Sequence, residues 1–260
     1  MPENSDLALL IDAARASADI ACRFFREDPE TWDKGGNQGP VTEADLAIDT
    51  MLKSELRAAR PDYGWLSEET EDSADRLERD RVFIVDPIDG TRAFIAGEKT
   101  WSHSLAIAEG GVITQAVVLA PMIDKLFCAE TGAAATLNGA PIRATMQPDM
   151  ESATVLAAKS NFEDRFWHGA VPPVTRHFRP SLAYRLSLVA QGRFDAMLTL
   201  RPCWEWDIAA GALIVQQAGG AATEVSGARL AFNSAKAQTA GCLAAGPDLH
   251  AALLPRLKAL

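Results

Sequence analysis

Two aspartates stand three positions apart in the segment Asp86-Pro87-Ile88-Asp89-Gly90-Thr91. Proline fixes one backbone dihedral and stiffens the segment, and Gly90 lets the backbone come close to a ligand. Thr91 adds a hydroxyl and an N–H at the expected start of a helical turn, where phosphate groups often bind. Carboxylate oxygens favour Mg²⁺, Mn²⁺ or Ca²⁺ over zinc. The segment therefore predicts a site for a hard cation beside a site for an anion.

Asp-Pro and Asp-Gly are also common turn dipeptides, so this segment alone is equally compatible with a surface turn. Three further acids, Glu68, Asp45 and Asp207, favour the metal interpretation. Glu68 ends a predicted strand, although the acids after it are also typical of a solvated face. Thr42-x-x-Asp45 has the pattern of a helix capping box, and in Asp45 both roles can coexist. Asp207 begins a predicted helix, where aspartate is often only a cap.

The elements that must position these acids can be read from hydrophobic periodicity. Val82–Val85 is a continuous apolar run that predicts a buried central strand directly before Asp86. The other predicted elements are helices over 7–25, 48–59, 181–191, 207–217 and 248–260, strands near 64–66, 126–129, 155–158 and 194–200, and a hairpin of 105–108 with 112–119. Mixed strands and helices throughout predict an α/β or α+β layered fold.

A polar stretch from Pro141 to about Ser152 is the predicted junction between two halves of one compact unit. The N-terminal half, 1–145, would carry most of the candidate metal ligands. The C-terminal half, 146–260, would carry Asp207 and the substrate contacts. A chain of 260 residues is long enough to bury a sizeable core in this way.

Charge and cysteine usage exclude several function classes. The formal net charge is -10 and no Lys/Arg run stands out, which disfavours a nucleic-acid polymer or an anionic membrane as partner. An acidic protein that handles anions needs cations to invert the local field. The scattered Cys22, Cys128, Cys203 and Cys242 indicate reduced thiols in a cytoplasmic protein, and we expect no signal peptide and no membrane span.

Taken together, four segments resemble the inositol monophosphatase family: Val41–Asp45, Ser67-Glu68-Glu69, Asp86–Thr91 and Trp206–Gly211. They stand in the family's order, and the likeness covers nearly the whole chain. The resemblance implies a five-layer α-β-α-β-α sandwich of the inositol monophosphatase and fructose-1,6-bisphosphatase type. It also implies a phosphomonoesterase that uses two or three Mg²⁺ ions, with Mn²⁺ also compatible.

The resemblance further implies a role for each matching residue. Glu68, Asp86 and the Ile88 carbonyl would hold the first metal, Asp86, Asp89 and Asp207 the second, and Glu68 a weaker third metal through water. Asp45 and Thr91 would orient and deprotonate the attacking water, and the N–H groups of Gly90 and Thr91 would hold the phosphate. Lys34 would lie near the metals on a mobile loop. Family members are often homodimers and are often inhibited by lithium.

The substrate is less well defined. The helix Ser181–Gly192 looks more like bacterial 3'(2'),5'-bisphosphate nucleotidases than inositol phosphatases. We predict substrate contacts from Arg185, from Glu205 to a hydroxyl, from Trp204 to a base and from Arg92 to a second phosphate. For Trp204 the alternative is packing, and for Arg92 it is a solvated side chain.

We therefore expect hydrolysis of 3'-phosphoadenosine 5'-phosphate or inositol monophosphate, with the former ahead. Histidinol phosphate and fructose 1,6-bisphosphate are alternatives. A non-catalytic module that binds sugar phosphates is an alternative of another class. The histidines lack ligand spacing and are interpreted as structural, and no Gly-x-Gly-x-x-Gly supports a dehydrogenase.

Overall fold

The computed structural model describes residues 5–35 and 39–258. Its helices are α1 (Asp6–Phe24), α2 (Glu43–Ala59), α3 (Thr91–Ile95), α4 (Leu182–Ala190), α5 (Glu205–Gln217) and α6 (Pro247–Leu253). Its strands are β1 (Thr31–Asp33), β2 (Pro40–Thr42), β3 (Gly64–Ser67), β4 (Arg81–Asp89), β5 (Ser102–Glu109), β6 (Val112–Ala120), β7 (Lys125–Glu130), β8 (Thr136–Leu137), β9 (Ala140–Pro141), β10 (Thr154–Ala157), β11 (Thr175–His177), β12 (Ala196–Thr199), β13 (Cys203–Trp204), β14 (Ala221–Thr223), β15 (Gln238–Thr239) and β16 (Cys242–Ala245).

A seven-stranded sheet runs in the order β3-β4-β5-β6-β7-β8-β9. β3 is parallel to β4, and the other neighbours are antiparallel. Successive side chains of a strand point to opposite faces. Phe83 and Val85 accordingly pack against α1 and α2, whereas Val82 and Ile84 pack against α4 and α5. The predicted buried strand is confirmed, and its apolar run is continuous because both faces are covered.

A five-stranded sheet follows, in the order β11-β10-β12-β16-β14. Leu156 and Met197 on one face share a core with α4, α5 and the first sheet. Val155 and Leu198 on the other face pack with Leu249 of α6. The layers are therefore α1 with α2, the first sheet, α4 with α5, the second sheet, and α6. This confirms the five-layer α-β-α-β-α sandwich.

Local signals set the ends of α1 and α2. The Ser5 hydroxyl accepts the Ala8 N–H at 3.1 Å and caps α1. The predicted capping box of α2 is confirmed, because the Thr42 hydroxyl accepts the Asp45 N–H while the Asp45 carboxylate accepts the Thr42 N–H. α2 ends at Ala59, as expected from Arg60-Pro61.

The structure differs from the predicted elements at the site and around the second sheet. β4 continues through Asp89 instead of ending at Val85, and α5 begins at Glu205, two residues before Asp207. β14 and β16 were not predicted, because short alanine-containing strands carry little β propensity. The last helix, α6, ends at Leu253 and continues as a 3-10 turn, and residues 259–260 of the predicted helix lie outside the described residues.

The first sheet ends at Pro141 and the second begins at Thr154, on either side of most of the predicted junction. The division into 1–145 and 146–260 stays a prediction, since α5 packs directly on the first sheet. Across residues 5–35 and 39–258, no helix is both long and apolar enough to cross a membrane.

Candidate active site

A β-bulge in β4 brings the carboxylates of Asp86 and Asp89 close together. Asp86 pairs with Ser104 and Asp89 with Ser102, so β4 has one residue more than β5 across this stretch. In a regular strand, side chains three positions apart would point to opposite faces. The extra residue of the bulge removes that opposition.

His103 lies opposite the bulge and fixes it. Its Nδ1 is 2.5 Å from the Pro87 carbonyl oxygen. Burial lowers the pKa of His103 to about 4, so the ring is neutral and donates from Nδ1 to that carbonyl. The structural interpretation is thus confirmed for this histidine.

Asp207, the third residue of α5, completes a cluster with Asp86 and Asp89. One carboxylate oxygen from each lies within 4.8 Å of the others. Burial, and then Glu68 and the neighbouring aspartates, raise the pKa of Asp86 well above its ordinary value. The pKa of Asp207 is raised in the same way, by burial, Asp89 and Glu68.

The cluster fits a divalent cation. Within the described part of the chain, Oδ1 of Asp86 is buried and has no hydrogen-bond partner. A buried acceptor without a donor, among other carboxylates, is costly unless a cation satisfies it. The donors are all oxygens, which is the set that Mg²⁺ and Mn²⁺ prefer.

The start of α4, in the C-terminal half of the chain, holds the Asp89 carboxylate in place. The Asp89 Oδ2 accepts the Ser181 hydroxyl at 2.6 Å and the Ala183 N–H at 2.7 Å. Burial raises the pKa of Asp89 to about 6, and these donors act in the opposite direction. Ser181 also caps α4 by accepting the Tyr184 N–H at 2.9 Å. The same serine therefore orients the helix and the carboxylate.

Glu68 lies beyond the end of β3, beside Glu69, and both are paired with Lys34. The Lys34 Nζ is 2.6 Å from Glu68 and 2.9 Å from Glu69. Burial alone would lower the pKa of Lys34, but the two glutamates raise it above its ordinary value. Burial and Glu68 raise the pKa of Glu69 to about 7. The predicted proximity of Lys34 to the acidic site is thus present in the structure.

Asp49 of α2 anchors the turn that carries these glutamates. Its carboxylate accepts the Ser67 hydroxyl at 2.5 Å and the Thr70 hydroxyl at 2.6 Å. The two donors flank Glu68 and Glu69, so the turn is held at both ends.

Asp45 and Thr91 form a second pair beside the cluster. The Thr91 hydroxyl is 3.3 Å from Oδ1 of Asp45 and 3.2 Å from the Ile88 carbonyl oxygen. Burial raises the pKa of Asp45 to about 6, although the Thr42 hydroxyl and N–H act against it. A carboxylate with that pKa accepts a proton more readily near neutral pH than an exposed one.

Gly90 has a φ of +102°, and α3 begins directly after it at Thr91. This left-handed backbone is readily adopted by glycine and strained for other residues. The turn presents the first residue of α3 to the cavity, where Gly90 and Thr91 both line the wall.

A cavity of about 600 Å³ opens at the carboxylate cluster. The candidate residues on its wall are Glu68, Asp86, Asp89, Gly90, Thr91, Arg92, Arg185 and Asp207. Asp45, Ile88 and Lys34 each hydrogen-bond to one of these lining residues. Phe178 and Arg201 contribute to the wall from the C-terminal half.

Arg185 presents a buried cation to this cavity. Its guanidinium donates to the carbonyls of Arg179 and Pro180 and lies 4.4 Å from the centre of the Phe178 ring. Burial lowers the pKa of Arg185 to about 10, which leaves the side chain charged at neutral pH.

The predicted substrate contacts of Trp204 and Glu205 are corrected. Neither is among the residues that line the cavity. Trp204 stacks on Trp206 with ring centroids 4.8 Å apart, which matches the packing alternative. Glu205 is fully buried, and its carboxylate accepts the N–H groups of Asn233 at 2.5 Å and Ser234 at 2.9 Å. A buried carboxylate with these partners is not available to a substrate hydroxyl.

Sequence reasoning missed Asp49, Phe178 and Arg201. Asp49 carries a usable signal, because it lies four residues after Asp45 and hence on the same face of α2. Phe178 and Arg201 stand on irregular segments and reach the cavity only through the tertiary fold. No local pattern marks them.

Comparisons with known proteins agree with this geometry. The sequence profile of the inositol monophosphatase family matches residues 4–259. An inositol-1-monophosphatase of Rhizobium meliloti is 35% identical over 72% of this chain and 73% of its own length. A fructose-1,6-bisphosphatase/inositol-1-monophosphatase of Thermotoga maritima is 36% identical over 75% of each chain.

A solved structure is similar throughout the fold. The IMPase of Thermotoga maritima superposes with a TM-score of 0.80 at 29% identity, covering 94% of this chain and 93% of its own. Members of the matching family are metal-dependent phosphatases. The chain belongs to the inositol monophosphatase family of metal-dependent phosphoric monoester hydrolases.

Proposed function

We propose that this protein is a Mg²⁺-dependent phosphomonoesterase that prefers 3'-phosphoadenosine 5'-phosphate to inositol monophosphate. The observation that carries the reaction type is the cluster of Asp86, Asp89 and Asp207 beside the Asp45–Thr91 pair. Removing a phosphoryl group from an ester requires neutralised phosphoryl oxygens and an aligned nucleophile. The cluster and the pair supply these two requirements side by side.

The roles of the residues follow from their surroundings. Glu68, Asp86, Asp89, Asp207 and the Ile88 carbonyl would hold Mg²⁺, which when bound supplies charge neutralisation and acidifies water. Asp45, with its raised pKa, takes the proton from a water that the Thr91 hydroxyl orients. The backbone N–H groups at Gly90 and Thr91 bind the phosphate through the start of α3.

The preference for a nucleotide rests on the C-terminal wall of the cavity. Arg185 and Arg201 line it, and the Phe178 side chain is 49% exposed there. Two cations favour a second phosphate, and an exposed ring favours stacking with a planar base. Arg92, which also lines the cavity, is a further candidate for phosphate contact.

Other phosphate esters are alternative substrates, and each would give a different result in the assay below. Inositol monophosphate carries one phosphate and no ring that would stack on Phe178. Fructose 1,6-bisphosphate is favoured by the name of the Thermotoga maritima relative and by the same arginines. Histidinol phosphate and a purely sugar-phosphate-binding role are the remaining alternatives.

The test is a substrate panel with phosphate release measured in Mg²⁺. The four esters are compared at equal concentration, with Asp86→Asn as the metal-site variant. We expect 3'-phosphoadenosine 5'-phosphate to give the highest kcat/KM and Asp86→Asn to lose nearly all activity while remaining folded. Faster turnover of inositol monophosphate would contradict the proposed preference for 3'-phosphoadenosine 5'-phosphate. Equal inactivity of wild type and variant on every ester would support the binding module.

Three finer properties belong to the same proposal. Millimolar Li⁺ should inhibit the reaction, and an unchanged rate would count against the metal assignment. We also propose a homodimer in the cytoplasm, as is usual for the family. Light scattering at micromolar concentration would give the mass of the assembly.

A further inference from the structure

Arg76 joins two distant parts of the chain. It lies in the 3-10 turn Ala74–Glu78 between β3 and β4, and only 2% of its surface is exposed. Its guanidinium pairs with Asp72 through two bonds, of 2.6 and 2.8 Å. It also donates to the side-chain oxygen of Asn233 at 2.7 Å and to the Ser234 carbonyl at 2.9 Å. Asp72 stands four residues after Glu68, so Arg76 connects the acidic turn to the segment at 233–234.

The same segment encloses the start of α5. The N–H groups of Asn233 and Ser234 donate to the Glu205 carboxylate, and the Glu205 N–H donates to the Ala237 carbonyl at 2.9 Å. The Asn233 side-chain amide returns a bond of 3.1 Å to the Arg76 carbonyl. Glu205 is the first residue of α5 and stands two residues before Asp207.

These bonds form one partly buried connection, which we name the Arg76–Asn233–Glu205 clamp. It runs from the turn after Glu68 to the helix start that carries Asp207. The cation of Arg76 and the anion of Glu205 thus bind the same two residues, Asn233 and Ser234. Networks of polar groups that hydrogen-bond to one another in this way rigidify the surrounding structure.

We propose that Arg76, Asn233 and Glu205 are positioning residues for the metal centre, because the clamp sets the distance between the Glu68 turn and Asp207. The inference rests on the metal assignment of the proposed function. None of the three residues lines the cavity. The clamp therefore acts through the ligands rather than on the substrate.

Two variants weaken the clamp while keeping the backbone conformation accessible. Asn233→Gly removes the side-chain bonds to Arg76, and glycine tolerates the φ of +60° found at this position. Glu205→Gln keeps the volume and one acceptor but removes the charge. The matched control is Asp195→Asn, because Asp195 accepts the Thr154 N–H and hydroxyl at 2.8 and 2.7 Å on β10, away from the cluster.

The readout is the Kd for Mn²⁺ and Mg²⁺, measured by calorimetry on the full chain, with circular dichroism as the check of folding. We expect each clamp variant to raise the Kd about 10-fold, as is usual when groups that support metal ligands are lost, and the control to leave it unchanged. At saturating metal the kcat should recover to near that of wild type, which loss of a catalytic group would not allow.

Two results would overturn the proposed positioning role of the clamp. One is a folded Asn233→Gly protein with the wild-type Kd, and this variant decides the matter even where Glu205→Gln does not fold. The other is an equal rise in Kd for Asp195→Asn, which would indicate general loosening. A wild-type protein that binds no divalent metal would overturn the metal assignment itself, and the clamp with it.

Discussion

Glu205 and Asp207 are two acids on the first turn of the same helix, and the groups around their carboxylates differ. The Glu205 carboxylate accepts two backbone N–H groups, with Arg76 close by. Asp207 faces Asp86, Asp89 and Glu68, which are all acids. Burial raises the pKa of both side chains, so the pKa alone does not separate them.

The difference teaches that the partners of a buried carboxylate decide its role. Glu205 has its charge compensated inside the protein and needs nothing from outside. The Asp207 cluster gathers carboxylates whose negative charge the nearby donors and arginines compensate only in part, which favours a bound cation or protons. A residue of the first kind stabilises the fold, and one of the second kind binds a ligand at a cost in stability.

The largest effect is expected when one acid of the Asp207 cluster is neutralised. Asp207→Asn should reduce kcat/KM by about 10³-fold or more, because a metal ligand is lost. In EDTA the same variant should unfold at a higher temperature than wild type, since one of the repelling charges is gone. Phosphate release and thermal melts measure the two effects. A variant that is both inactive and less stable in EDTA would contradict the assignment of the cluster.

The second prediction concerns pH. Asp89 and Asp45 have pKa values raised to about 6, above the ordinary value near 4. Between these values the folded state binds more protons than the unfolded state, so stability should fall as pH rises from about 4 to 7. The loss should be on the order of 3 kcal/mol for such a group in EDTA. Urea unfolding at pH 4 and pH 8 measures it.

Mg²⁺ provides the control for this pH dependence. A bound cation favours the charged carboxylates and should remove most of the loss. An apo protein that becomes more stable as pH rises through this window would show that hydrogen-bond donors and cations of the protein already compensate these acids.

The sequence predicted the acidic cluster well because its parts are local. Asp86 and Asp89 stand in one motif, Glu68 and Asp207 stand at element ends, and the capping pattern marked Asp45. The apolar run before Asp86 and the periodic helices likewise gave the main layers of the fold. The bulge in β4 could not be read, because it appears only in the pairing with β5.

The sequence failed where partners come from far along the chain. Within the segment Trp204–Asp207, nothing local distinguishes the surroundings of Glu205 from those of Asp207. The difference comes from the N–H groups of Asn233 and Ser234, which donate to Glu205 in the folded chain. Phe178 and Arg201 reach the cavity in the same long-range way. The sequence shows where acidic residues stand, but it does not show which carboxylates will receive hydrogen-bond donors from distant parts of the chain.

The third prediction tests the basic side of the cavity, where charge is also left for a ligand. Arg185→Gln should raise the KM for 3'-phosphoadenosine 5'-phosphate about 10-fold, which is the size of one charge-assisted hydrogen bond. The glutamine amide nitrogen stands where Nε of Arg185 does and can still donate to the Arg179 carbonyl, so the fold should persist. The control is Arg15→Gln on α1, whose ion pair with Asp12 is exposed and 3.9 Å long. An unchanged KM for Arg185→Gln would remove it from the substrate contacts.

The smallest effect is expected at Asp49, a buried acid of the compensated kind. Its oxygens accept the hydroxyls of Ser67 and Thr70, and asparagine retains one acceptor for them. Asp49→Asn should therefore cost about 1 kcal/mol of stability, the typical value of one hydrogen bond, in EDTA and in Mg²⁺ alike. Urea unfolding in both conditions measures it. A gain of stability in EDTA, as expected for Asp207→Asn, would mean that these hydroxyls do not compensate the charge, and Asp49 would then belong with the acids that need a cation.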